Sequence, residues 1–445
     1  MSAGIAPGTV GLLIFGSMLL LMALRTPIAV AMFIPGAIGY WVMSSDMALL
    51  NLLKGSAVAR LTVYDLSVIP LFLLMGQFAT QGGLSRSLFQ AAAAFVGHIR
   101  GGLAMAAVLS AAAFGAVCGS SVATSATITQ VAYPEMKAHG YHGRLTTAAL
   151  ACGGTLGILI PPSVPLVVYA ILTEQNIGKL FAAAMVPGIF ATIGYIVVIS
   201  IICRLKPELA QPSQPTPWPQ RWAALAQVWP IAVIFVVVFG GIYGGVFSPT
   251  EGAAVGAVGT FVAALARREL GWAGIQRSFI GTAETSAMVF MIFLGADMMN
   301  SALALTQMPA RVADWVGHLQ IAPLWIIGAI LAVYIVLGCV MDELSMMLLT
   351  IPVIFPAVMA LDLFGLAPEG KAIWFGILVL MTVGIGMTMP PVGLNVYVVN
   401  SIARDVPMSE TYKGVWPFLA SDVLRMLLLL FFPSLTLGFV ALFFK

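Results

Sequence analysis

The chain has 445 residues, 60% of them hydrophobic and 8% charged, and carries a formal net charge of +3. Soluble domains contain about 25% charged residues, so a mean hydropathy of +1.03 excludes a water-covered globule and requires lipid around much of the surface. No long acidic or basic run is present, which sets nucleic acid aside as a partner.

Segments apolar enough to span a bilayer occur at 8–24, 27–43, 66–81, 101–117, 144–160, 186–203, 230–247, 250–266, 279–296, 322–341, 372–389 and 420–443. The first has no basic leader and no small-residue cleavage site before Arg25, and reads as a retained helix. Segments 118–134, 163–185, 342–360 and 391–418 are too short or too interrupted to span simply; hairpins or half-helices are expected there. Charge mixed with Leu or Trp marks 44–64 (Lys54, Arg60, Asp65) and 267–283 (Arg267, Arg268, Glu269, Trp272, Arg277) as helices along the membrane surface. Residues 206–221, rich in Pro and Gln, are expected to form a non-helical linker. Arg204, Lys206 and Arg221 beside it, and Arg267, Arg268 and Arg277 two spans later, put that side in the cytoplasm. Cys118, Cys152, Cys203 and Cys339 have no metal-ligand spacing and are expected to pack as small buried groups.

The two halves match each other. Phe95-Val96-Gly97-His98-Ile99 resembles Trp315-Val316-Gly317-His318-Leu319, a shift of 317 − 97 = 220. Met75-Gly76 matches Leu294-Gly295, and the two surface segments follow at about the same shift. Gly157-Ile-Leu-Ile-Pro161-Pro162 matches Gly386-Met-Thr-Met-Pro390-Pro391, a shift of 390 − 161 = 229, and Pro187 and Pro417 close each block. The expected fold is an all-α polytopic membrane protein of two structural repeats, with roughly 11–12 transmembrane helices and two hairpins. The first repeat is 1–205 (surface helix 44–64, hairpin near 118–134, broken helix 144–185), then the linker 206–221. The second is 222–445 (surface helix 267–283, hairpin near 342–360, broken helix 372–402). Opposite-side placement of the surface helices would make the repeats inverted, as in many secondary transporters.

The Pro-Pro pairs are the first candidate site. Two adjacent prolines end a helix, and at membrane depth the freed carbonyls need a cation or a polar cavity. Gly157 and Gly386 allow close backbone approach, and Ser163, Thr388 and Asn395 add polarity beside Pro161, Pro162, Pro390, Pro391 and Gly393. The second candidate is Gly119-Ser120-Ser121-Val-Ala-Thr124-Ser125-Ala-Thr127. Its small residues suit helix packing; its hydroxyls equally suit a hairpin tip that offers oxygen to Na⁺ or helix N–H groups to a carboxylate. The matching place in the second half is Gly338-Cys-Val-Met-Asp342-Glu343. There Asp342 is either a functional intramembrane acid or the cap of the next helix. Glu251 fits a helix-start pattern, and Glu284 and Asp297 are weaker candidates. No Walker loop, H-E-x-x-H or G-x-S-x-G motif occurs. An ion gradient is therefore the expected energy source, and no enzymatic activity or cofactor is expected. An intramembrane enzyme would have only Asp342–Glu343 as a close acidic pair.

Gly119-Ser120-Ser121, Gly140-Tyr141, Ile160-Pro161-Pro162-Ser163, Pro187-Gly188, Pro249-Thr250-Glu251 and Thr388-Met-Pro390-Pro391-Val-Gly393-Leu-Asn395 together resemble the large membrane subunit of TRAP transporters (DctM-like) over nearly the whole chain. The resemblance implies Na⁺-driven import of a small organic acid, such as a C4-dicarboxylate, across the bacterial inner membrane. It implies a periplasmic substrate-binding protein, a separate four-helix membrane subunit, and an elevator fold with two re-entrant hairpins. Na⁺ would be held by carbonyls and hydroxyls near Ser120, Gly338, Gly386 and Thr388. Cys118 stands where a Ser is common. No Arg is evident within a break to clamp a carboxylate, so the substrate stays open. A stand-alone ion-coupled carboxylate transporter is the alternative.

Overall fold

The structure, a computed structural model, describes residues 6–318 and 321–444. Every regular element among the described residues is a helix. Six are long and apolar enough to cross a membrane singly, and nine spans result if each of three bent pairs counts as one. Shorter apolar helices account for the other expected spans, among them Pro7–Ala23 and Ile28–Met43. Leu319 of the matched His98/His318 motif lies outside the described residues.

Several boundaries differ from expectation for identifiable reasons. The surface segment 267–283 is not a separate helix: the chain turns at Gly271 and runs as one helix, Trp272–Leu305, with no proline to interrupt it. Its counterpart in the first half, Asp46–Leu61, does stand apart and bends by 56° into Tyr64–Gln81. Arg60 of this arm forms an ion pair with Asp297 on the long helix. The linker is not wholly irregular, because Trp218–Ala226 is helical; Pro219 falls in its first turn, where no N–H is needed. The span expected at 420–443 divides into Met408–Phe431 and Ser434–Phe443 around Pro433. The first broken helix ends at Thr173, not 185, and Glu174 there adopts a left-handed conformation. Leu84–Val96 and Met308–His318 are short helices that the hydropathy pattern left unassigned.

Close helix contacts run along glycines, as expected where no solvent drives association. A Cβ on Gly36 would lie 2.7 Å from the backbone N of Met299, and one on Gly295 would lie 2.5 Å from the carbonyl of Ala29. The four cysteines are buried and unpaired.

The ends of the bundle can be told apart. Ile177–Leu205 has 29 residues, or about 43 Å at 1.5 Å per residue, enough to cross a hydrocarbon core of about 30 Å. At its start, Lys179 pairs with Glu369 at 2.6 Å. At its end the linker begins, and Leu209 O accepts from His142 N at 2.9 Å while Ser213 N donates to Gly97 O at 3.0 Å. The first broken helix, which follows His142, therefore starts at the linker end, and the second, which starts at Pro368 beside Glu369, starts at the opposite end. The equivalent elements of the two halves enter from opposite ends, which is the inverted arrangement.

Candidate functional site

Each half contributes a helical hairpin and a helix broken at Pro-Pro. The first hairpin joins Gly102–Cys118 to Ser121–Ala138. Its tip is Gly119, at φ +67, and Ser120, in extended conformation. Gly119 suits a left-handed helix cap because it has no Cβ. The second hairpin joins Pro323–Gly338 to Glu343–Ala360 through residues 339–342. The broken helices are Gly143–Leu159 with Val164–Thr173, bent by 41°, and Pro368–Gly386 with Leu394–Ile402. Both the Pro161–Pro162 and Pro390–Pro391 bonds are cis.

Hairpin and broken helix meet in the same way in both halves. A Cβ on Gly115 would lie 2.5 Å from Gly157 Cα; a Cβ on Gly386 would lie 2.7 Å from Gly338 Cα. Past each proline pair, one backbone N–H reaches the facing hairpin tip: Val164 N donates to Gly119 O and Gly393 N to Cys339 O, both at 3.2 Å. These donors are separated by 393 − 164 = 229, the same shift as the prolines. The halves also interlock. Leu394–Ile402 packs on the first hairpin, and Val164–Thr173 packs on Glu343–Ala360, with Tyr169 edge-on to Phe355 at 6.3 Å.

The two tips touch. Ser120 Oγ donates to Glu343 Oε1 at 3.4 Å. The contact joins the starts of the two returning arms: Ser120 precedes Ser121–Ala138, and Glu343 opens Glu343–Ala360. Asn395 Nδ2, beyond the second break, donates to Ser121 Oγ at 2.6 Å and to Ala151 O at 3.3 Å. Around these bonds, Thr124 Oγ1, Ser125 Oγ, Asn395 Oδ1 and Glu343 Oε2 are buried without hydrogen-bond partners. Such groups are rare and each needs an explanation. Thr124 and Ser125 lie directly over Gly157 and Gly154 of the facing helix.

Several polar groups near the breaks are bonded within the protein. The carbonyls of Gly119 and Cys339 are taken by the backbone donors above, and Met387 O accepts from Asn395 N at 3.0 Å. The Thr388 hydroxyl donates to Ile385 O at 3.1 Å and Gly384 O at 3.4 Å. Ser163 accepts from Leu166 N and so caps the half-helix after the break. Asp342 is a cap as well: Oδ2 accepts from Ser345 N at 3.1 Å, and the Ser345 hydroxyl also bonds it. Glu343, one residue on and 4% exposed, is the acid that faces the first hairpin. Spacing could not separate these neighbours; the capping geometry does. Glu251 forms a capping box with Ser248. Asp342→Ala is expected to destabilise by about 1 kcal/mol, the usual cost of a lost cap, and Asp342→Asn to melt like the parent; thermal unfolding of both checks it.

Asp405, in the turn after Leu394–Ile402, accepts from Tyr133 at 2.5 Å and pairs with Lys137 at 2.8 Å. The bonds from Lys137 and then Tyr133 hold its carboxyl down to about 2, so it stays ionised and ties the first hairpin to the second broken helix. A cavity of about 980 Å³ lies under the linker against Gln130 and Glu135 and includes none of the tip residues.

The family model described as the tripartite ATP-independent periplasmic transporter, DctM component, matches residues 15–435. A C4-dicarboxylate TRAP transporter large permease protein of Pseudomonas aeruginosa is 35% identical over 84% of this chain and 86% of its own. One of the same description from Rhodobacter capsulatus is 31% identical over 96% and 98%. Relatives at 28% identity are described as large permeases for ectoine and sialic acid and as an isethionate permease. The crystal structure of the Alcanivorax borkumensis YdaH transporter superposes with a TM-score of 0.64 at 15% identity, covering 95% of this chain and 98% of that one. This last likeness speaks to the fold alone.

Proposed function

Because the chain belongs to the DctM component family of tripartite ATP-independent periplasmic transporters, we propose that it is the permease of a Na⁺-driven importer for a small organic acid. The observation that carries this reading is the meeting of the hairpin tips beside the second Pro-Pro break, with four buried oxygens left without partners. Hydroxyl, amide and carboxylate oxygens suit a hard cation. Thr124, Ser125, Asn395 and Glu343 would supply them, with Glu343 balancing the charge. Ser120 and Ser121 position this set through Glu343 and Asn395. The solute would bind at the same tips, where the Ser121–Ala138 helix begins without a side-chain cap and its N-terminal dipole favours an anion.

The partners in this reading are a periplasmic binding protein that delivers the solute and a small membrane subunit that holds the scaffold. The hairpins and broken helices, interlocked as described, would move together as an elevator against the remaining helices. The basic residues beside the linker favour a cytoplasmic position for that end.

Reconstitution tests the proposal. With a cognate periplasmic binding protein and small membrane subunit, proteoliposomes should accumulate C4-dicarboxylates or related acids only under an inward Na⁺ gradient. Uptake indifferent to Na⁺ would overturn the coupling, and uptake without the binding protein would favour the stand-alone transporter. Ser120→Ala with Ser121→Ala should raise the half-saturation for Na⁺ or solute by about 3- to 10-fold, the equivalent of one or two hydrogen bonds.

A further inference from the structure

The geometry points to Thr155, Tyr195, Asp422 and Arg425 as a positioning network that keeps the two Pro-Pro-broken helices in register. None of the four belongs to the tip site. Tyr195 Oη donates to Asp422 Oδ2 at 2.9 Å, and Arg425 Nη2 donates to Asp422 Oδ1 at 2.6 Å. Thr155 Oγ1 lies 3.1 Å from Tyr195 Oη and 2.7 Å from Cys152 O. The Arg425 guanidinium also lies over the Tyr195 ring, 5.6 Å from its centre, and Phe418 meets that ring edge-on at 5.5 Å. Asp422 is 1% exposed and Arg425 6%.

The network sits where equivalent parts of the two repeats meet. Thr155, on the helix leading to Pro161, touches Gly384, on the helix leading to Pro390: a Cβ there would lie 3.5 Å from Thr155 Cβ. Their separation, 384 − 155 = 229, is that of the proline pairs. Tyr195 and Arg425 are equivalent too, since 425 − 195 = 230 = 417 − 187. The chain therefore runs from the contact between the two broken helices to the crossing of Ile177–Leu205 with Met408–Phe431.

Stability does not account for these residues. Ionisable groups in a membrane interior are costly, and apolar replacements of buried ion pairs are often at least as stable. Arg425 moreover keeps Nε and Nη1 without partners, so the network is not optimised for stability. What directional bonds add over apolar packing is a fixed angle and register. Here the bonds fix the first broken helix, through Thr155, against Ile177–Leu205 and Met408–Phe431, and Thr155 carries that register to Gly384 of the second by packing.

Spin labels at Glu174→Cys and Tyr397→Cys, exposed residues beside and on the outer half-helices, read it directly. The native cysteines are buried and escape labelling. In the full chain in lipid, Tyr195→Phe removes the hydroxyl and keeps the ring. It should broaden the label-to-label distance distribution by pulsed dipolar spectroscopy while melting within a few degrees of the parent. The neutral pair Asp422→Asn with Arg425→Met should broaden it similarly, and it decides the matter if Tyr195→Phe fails to fold. A parental distance distribution in the folded variants would overturn the proposal.

Discussion

Gly386→Ala is expected to abolish uptake and to lower stability by about 1–3 kcal/mol, the range for forcing a methyl group into a close-packed contact. The added Cβ would lie 2.7 Å from both Gly338 Cα and Gly338 C, and 2.8 Å from Ile335 O. All three are backbone atoms, so no side-chain rotation relieves them. The second hairpin must back away from the break it faces, and the Gly393 N to Cys339 O bond must lengthen with it. The reciprocal change is milder. A Cβ on Gly338 would lie 3.2 Å from Gly386 Cα, its nearest neighbour. Gly338→Ala should therefore keep measurable transport. In the first half, Gly115→Ala should be severe, with Gly157 Cα 2.5 Å from the new atom. Gly328→Ala, where nothing lies within 4 Å, should be neutral or stabilising by up to about 1 kcal/mol from helix propensity. Thermal unfolding and uptake rates on the four variants test this order. Equal behaviour of Gly386→Ala and Gly328→Ala would show that the crossing is loose.

That ordering could not be read from the sequence, although the glycines could. Composition gave the membrane class because too few charged residues exist to cover the chain. The Pro-Pro pairs gave the breaks because two missing donors stop any helix. The repeat shift of 229 then predicted which glycines correspond, but not that each faces a glycine of its own hairpin. Local chemistry was harder to read. Asp342 and Glu343 are adjacent acids after an apolar run, and only the capping bond to Ser345 assigns the first to helix initiation. Asp422 and Arg425 stand in an apolar segment whose hydropathy still passes for a span, so the pair left no visible mark on the pattern. Spacing likewise does not show that Ser163 caps the half-helix after its break or that the Thr388 hydroxyl donates to the turn behind it. The surface helix at 267–283 failed for another reason: composition reports where a helix lies, and nothing in that stretch marks whether it continues into the span.

Glu343→Gln is the change that separates a cation ligand from a structural acid, because the two roles predict opposite signs. Glu343 has one carboxylate oxygen bonded to Ser120 and the other buried without a partner. An uncompensated buried charge is costly, typically several kcal/mol after relaxation. Removing it should leave the Na⁺-free protein at least as stable as the parent, since Gln keeps an acceptor for Ser120. With Na⁺ the order should reverse. A cation bound between Glu343, Asn395 and the Thr124–Ser125 hydroxyls stabilises the parent by mass action, and the amide forfeits the ionic part of that interaction. Bonds to charged groups contribute about 1.5–3 kcal/mol, so the half-saturation for Na⁺ should rise by about 10- to 100-fold. Thermal unfolding titrated with NaCl against choline chloride reads both effects in one experiment, without knowledge of the solute. A parental response to Na⁺ in Glu343→Gln would remove the carboxylate from the site. A variant that is less stable without Na⁺ would make Glu343 a structural tie between the tips.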